Sequence, residues 1–126
     1  MQTGMAISLT PTSPSAPLLF AGRLEEGVRA AAQLGFQGVE LNILDPQTVD
    51  GRYLQGLLRQ HGLAACAIAT GQAYSRQGLS LSHPDADVRQ KAMERSSASP
   101  VGANGRWPLA RYWNVVSSGA TIPARA

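Results

Sequence analysis

Glu40 is the residue in this sequence most open to a chemical role. It stands in the run Gly38-Val39-Glu40-Leu41, a short apolar stretch flanked by turn-forming residues. Read as a strand, the run puts Val39 and Leu41 on one face and Gly38, Glu40 and Asn42 on the other. A carboxylate on a buried strand is costly unless it meets a cation, a hydrogen-bond donor or water. The carboxyl edge of a sheet supplies such partners, so Glu40 is a candidate ligand-facing acid. Capping a helix or pairing with an arginine is the other role open to it. Thr70-Gly71-Gln72 is the second candidate, because it directly follows another apolar run, residues 63–69. Glycine lets the backbone turn sharply and come close to a ligand. Thr70 and Gln72 offer uncharged hydrogen bonds suited to hydroxyls or a carbonyl, although an ordinary loop can have the same composition.

The remaining reactive side chains carry less. His61 ends a helical pattern before Gly62 and is expected to interact with the last carbonyls of that helix. His83 precedes Pro84 and is expected to cap a helix or lie on the surface. The two histidines have no ligand-like spacing, and no zinc pattern exists. Cys66, the only cysteine, lies inside an apolar run and is expected to be a buried, inert thiol. It has no partner for an internal disulfide, which fits a reducing compartment and a cytoplasmic location. There is no glycine-rich phosphate loop with its lysine, and Lys91 falls in mid-helix, where solvation is expected.

The elements that must position Glu40 and Thr70-Gly71-Gln72 can be read from the apolar spacing. Residues 5–9 form a candidate strand, and the Pro-, Ser- and Thr-rich residues 10–17 read as a loop. Residues 23–34 read as a helix, with Leu24, Val28, Ala31 and Leu34 at helical spacing and Glu25 and Glu26 at its positive end. Gly35 ends that helix, and residues 38–41 form the next strand. Asp45-Pro46 reads as a cap with proline in a first turn. A second helix covers residues 50–61, with Leu54, Leu57 and Leu58 on one face, and Gly62 closes it. Residues 63–69 are too short and too well bounded for a helix and read as a buried strand. Residues 70–82 read as a polar loop, and residues 84–95 begin a third helix with Asp85 and Asp87 in its first turn. Three βα units in succession imply an α/β fold with a parallel sheet, either doubly wound or part of a closed eight-fold barrel. In both, the active site forms at the carboxyl ends of the strands.

Composition narrows the class. The chain has 126 residues, 44% of them hydrophobic and 15% charged, enough for one domain with a core and too apolar for wholesale disorder. No stretch approaches the ~20 apolar residues of a membrane span, and the start of the chain lacks the features of a secretory signal. The formal net charge is +3. Residues 1–95 are neutral, so the excess comes from Arg106, Arg111 and Arg125, in a stretch that has no acid. Three scattered arginines are a poor nucleic-acid surface, so neither nucleic acid nor membrane is an expected partner. From residue 96 onward Ala, Ser, Gly, Arg and Pro dominate, and both tryptophans appear.

Two runs resemble a known family. Leu34-Gly35-Phe36-Gln37-Gly38-Val39-Glu40-Leu41 resembles the helix-to-strand hallmark of the xylose isomerase-like TIM barrels. That family includes sugar phosphate isomerases and epimerases and, more distantly, the endonuclease IV type of DNA-repair enzyme. Ala67-Ile68-Ala69-Thr70-Gly71-Gln72-Ala73-Tyr74, followed by Gly78-Leu79-Ser80-Leu81 and His83-Pro84-Asp85, resembles a sugar isomerase/epimerase branch with a Thr-Gly-Gln-Ala turn after strand three. The resemblance covers residues 5–95 and implies a partial (β/α)8 barrel of about three N-terminal βα units. It implies a metal-assisted proton shift on a ketose, keto acid or sugar phosphate, with manganese, magnesium or cobalt held by Glu, Asp, His and Glu side chains from later strands. No position of this sequence matches those ligands or the family's acid–base pair. The resemblance therefore leaves Glu40, Thr70, Gly71 and Gln72 as substrate-binding residues, no catalytic or metal-ligating residue, and a chain expected to be inactive alone. A non-catalytic gene fragment is the alternative. The DNA-repair reading is disfavoured, because it needs several metal-binding histidines. Residues 96–126 are expected to be a non-family tail, frameshifted or disordered, and the exposed sheet edge is expected to promote self-association.

Overall fold

Strand register decides how the candidate residues are placed. The computed structural model describes residues 2–16 and 18–97. Their elements are, in order, β1 (Gly4–Ser8), α1 (Leu24–Gln33), β2 (Gly38–Asn42), a 3-10 turn (Pro46–Thr48), α2 (Gly51–Gln60), β3 (Ala64–Ala69), α3 (Gly71–Gln77) and α4 (Ala86–Ser97). The strands form one parallel sheet in the order β1-β2-β3, so the expected α/β class and its three βα units are present. Among the described residues, no helix is long and apolar enough to cross a membrane.

One face of the sheet makes the core. Met5 and Ile7 of β1, Val39 and Leu41 of β2, and Ala65 and Ile68 of β3 are all buried. They pack with Val28 and Ala31 of α1 and Leu54 and Leu58 of α2. Those helical pairs are three and four residues apart, the spacing that sets two side chains on one stripe. Each fully buried aliphatic side chain is worth about 1.5–3 kcal/mol. The opposite face is lined by small residues such as Gly4, Ala6, Gly38 and Ala67, with Glu40 rising from its centre.

Helix ends follow the local chemistry. The Asp50 side chain accepts from the backbone N–H of Arg52 (3.1 Å) and Tyr53 (3.0 Å), capping α2. Asp45 accepts from the N–H of Gln47 (3.1 Å) and begins the 3-10 turn with Pro46 behind it. Gly35 and Gly62 take positive φ just past α1 and α2, a conformation that other residues adopt only with strain. His61 Nδ1 lies 3.0 Å from the carbonyl oxygen of Leu57, and His83 Nδ1 accepts from the N–H of Asp85 (3.1 Å), so both histidines serve helix ends.

Three expectations are corrected. Residues 71–77, expected within a polar loop, form the helix α3. Its N-cap, Thr70, makes no side-chain cap bond. Contacts with β1 hold it instead, and local sequence cannot signal those. The helix expected from residue 84 is the fourth, starts at Ala86 and runs to Ser97. Ala92 is its one buried hydrophobic residue, and Arg95 Nη1 ties its end to the carbonyl oxygen of Leu44 (2.9 Å). Cys66 is exposed rather than buried. The register shifts between Val39 and Glu40, so that Val39 pairs with Ala65 and Glu40 with Ala67. The extra residue, Cys66, bulges onto the small-residue face, where it meets Gly4 and Gly38. The expectation for the tail falls outside the described residues from residue 98 onward.

Candidate functional site at the carboxyl edge of the sheet

Glu40 and Asn42 lie two residues apart on β2, so the pleat puts both on the small-residue face. Asn42 Nδ2 donates to Glu40 Oε1 at 3.3 Å. Asn42 is buried and Glu40 half-buried. Among the strand residues of this face, Glu40 is the one carboxylate. Its second oxygen can accept from a hydroxyl group of a ligand.

Thr70 ends β3 and opens α3, with Gly71 as the first helical residue. The Gln72 side chain turns back toward β1. Its Nε2 donates to Ser8 Oγ (2.7 Å), its Oε1 accepts from Thr10 Oγ1 (2.8 Å), and Ser8 Oγ donates to the carbonyl oxygen of Thr10 (2.7 Å). These three bonds form a closed set between the ends of two strands that are not neighbours. Ser8 is fully buried and Gln72 is 7% exposed. The structure therefore brings Gln72, Ser8 and Thr10 together at the carboxyl edge, where Thr70 and Gly71 open α3. Glu40 stands in the middle of β2, opposite Ala6 and Ala67, and is linked toward that edge through Asn42. The sequence did not single out Ser8, and it pointed to Thr10 only as the start of the loop at the carboxyl end of the first strand. The available signal was parity: Ser8 pairs with Asn42 across the β1–β2 ladder and shares its face.

A cleft of about 210 Å³ opens at the same edge, between the loops that follow β1 and β2. Leu9, Thr10, Ile43, Leu44, Asp45 and Tyr53 line it, and none of the four sequence-derived candidates does. At its margin Tyr53 donates its hydroxyl to Glu25 Oε1 at 2.6 Å. That bond holds the Glu25 carboxyl below its usual range and raises the Tyr53 phenol. On the open face, partial burial raises the Cys66 thiol above its ordinary value, and the charge of nearby Glu40 adds to the effect.

A divalent metal would need several oxygen or nitrogen ligands converging on one point. Among the described residues, no three His, Cys, Asp or Glu side chains come together that way. These residues do not fit a metal by themselves, and Glu40 alone would be one ligand at most. The arrangement can hold hydroxyl and carbonyl groups by hydrogen bonds. No protein-family model matches this chain, and no curated protein matches it.

Proposed function

We propose that residues 1–95 form the N-terminal part of a xylose isomerase-like (β/α)8 barrel, and that their carboxyl edge is the sugar-binding rim of an isomerase or epimerase. The observation that carries the reading is the three-stranded parallel sheet in sequence order, with its single face carboxylate, Glu40, near the edge where Thr70-Gly71-Gln72 turns. Active sites of parallel α/β folds form at that edge. A complete barrel of this kind takes about 250 residues, so three units supply a minority of its strands.

On this reading Glu40 accepts a hydrogen bond from a substrate hydroxyl, and the Thr70-Gly71 turn brings backbone and a side-chain hydroxyl to the same rim. The divalent metal of such an enzyme would polarise the substrate carbonyl. General acid–base groups must stand within hydrogen-bond reach of the carbons that exchange a proton. In the family both the metal ligands and those groups come from later strands, so this chain alone is catalytically silent.

The test has two parts. The purified chain is assayed with manganese, magnesium or cobalt against ketoses and keto acids, with Glu40→Ala as control; no metal-dependent turnover is expected. Turnover above the control would overturn the claim of silence. In parallel, ketoses are titrated at millimolar concentration while the backbone amides are followed by NMR. Shifts at Glu40, Thr70 and Gly71 that vanish in Glu40→Ala are expected, and a ketose that moves none of them would refute the rim. Among the described residues no strand lies beyond β3, whereas the outer side of β1 is met by a bridge from Leu19 to Ile7; the open β3 edge can template association. Light scattering is expected to show concentration-dependent oligomers, and a compact monomer at high concentration would contradict this part.

A further inference from the structure

β1 and β3 lie on opposite sides of β2, about 10 Å apart at the usual strand spacing. Only a residue that crosses the carboxyl end of β2 can join them there, and Gln72 does so. Its amide uses one donor on Ser8 and its oxygen on Thr10, at 2.7 and 2.8 Å. The partners are 64 and 62 residues away in sequence. Little else fastens α3. Gln72 and Ala73 are its buried residues, Tyr74 is exposed, and Arg76 Nη1 reaches the carbonyl oxygen of Pro11 at 3.3 Å. Gly71 stands at its start, and Gly78, with φ of 67°, closes its end.

We propose that Gln72 is a positioning residue: its side-chain amide latches the start of α3 across β2 onto β1, and so sets where the Thr70-Gly71 turn stands relative to Glu40 and Asn42. The functional meaning of that placement rests on the rim reading above; the latch itself does not. Directionality makes an amide necessary here. Ser8 Oγ gives its one proton to the carbonyl oxygen of Thr10, so it must receive a proton from position 72. Thr10 Oγ1 gives its proton to the same side chain, so position 72 must also accept. A glutamine does both. A glutamic acid does both only while protonated; as a carboxylate it cannot donate to Ser8, and it is charged in a buried place.

The experiment is hydrogen exchange of the full chain, wild type against Gln72→Glu and Gln72→Ala, at about pH 4 and about pH 8, which bracket an ordinary or raised carboxyl. In Gln72→Glu, amides 71–78 are expected to be protected as in wild type at the acid pH. At the alkaline pH they should exchange about tenfold faster than wild type, a change that loss of one to two hydrogen bonds produces. Amides of β2 should match wild type at both. Gln72→Ala should show the faster exchange at both pH values. If it does not fold, the pH profile of Gln72→Glu decides alone. Equal protection of 71–78 in wild type and Gln72→Glu at both pH values would overturn the proposal, and so would a loss of protection independent of pH. No sugar enters this readout. A latch that behaves as stated in a chain that binds no ketose would sink the rim reading and leave the latch standing.

Discussion

Gly38 and Gly56 are predicted to respond to the same change, Gly→Ala, in opposite directions. Gly38 opens the central strand and is paired on both sides, to Gly4 and to Ala64. A Cβ at Gly38 would lie 2.9 Å from the carbonyl oxygen of Ala64 and 3.3 Å from Cys66 Cβ. Turning about the Cys66 side-chain bond moves only Sγ, 3.5 Å away, and leaves its Cβ in place. The carbonyl belongs to the neighbouring strand and can retreat only by bending the ladder. Overpacking of this kind costs about 1–3 kcal/mol. The smaller conformational freedom of alanine in the unfolded chain offsets about 0.4–1 kcal/mol of that. The net expectation for Gly38→Ala is a loss of about 1–2 kcal/mol. At about 4–8 °C per kcal/mol for a domain of this size, Tm falls by about 5–15 °C. Gly56 sits within α2, and a Cβ there meets nothing within 4 Å. Gly56→Ala should therefore raise stability by about 0.5–1 kcal/mol, the helical preference of alanine over glycine. Urea unfolding followed by circular dichroism measures both, with slopes unchanged from wild type. A third measurement separates the sulfur from the fixed obstacles: Gly38→Ala in a Cys66→Ala background should recover little, because the carbonyl of residue 64 and the Cβ of residue 66 both remain. If Gly38→Ala is as stable as wild type, or if Cys66→Ala restores it fully, the steric account is refuted.

Two further outcomes rest on titrating groups. Tyr53→Phe removes the bond that lowers the Glu25 carboxyl, so Glu25 should titrate at a higher pH in the variant, as read from its side-chain carboxyl by NMR. A carboxyl lowered by folding lends stability above its unfolded pKa and loses it as pH falls through the folded value; wild type should therefore lose on acidification a contribution that Tyr53→Phe lacks, and identical titrations would refute this. The exposed Cys66 thiol should react with iodoacetamide at neutral pH more slowly than free cysteine, because burial and then Glu40 raise its pKa. Glu40→Gln should speed the reaction, and a wild-type rate equal to that of free cysteine would count against the account.

What the sequence made legible was local. The three strands were readable because each is an apolar run bounded by turn residues, and α2 because Leu54, Leu57 and Leu58 share one face and Gly62 closes the helix; its cap, Asp50, reads from sequence as the first helical residue. Glu40 was readable from parity alone, and the structure places it on the face that parity assigns. α3 was not readable. It spans seven residues, carries no side-chain cap and has no long apolar stripe, and Ser8 and Thr10 lie more than sixty residues from the side chain they hold. Cys66 was misplaced for a related reason. Simple alternation assumes one residue per rung, and the register shift opposite Val39 and Glu40 breaks that count. Arg95 likewise reaches Leu44 across 51 positions, a link that no periodicity encodes.

The strand order has a consequence for how the chain assembles during synthesis. Each strand pairs with the one made before it, so every ladder can close as soon as its second strand leaves the ribosome, and no strand waits for a distant partner. Contacts that join nearby segments form quickly, and those that close long loops form late. β1 and β2 can zip with α1 packed across them once both have emerged, before β3 does. The Gln72 contacts are the exception, since they reach back to the first strand over the one between. They are the last of these links to become available, so a nascent chain that has emerged only to about residue 70 can pair its three described strands while its carboxyl edge is unfastened.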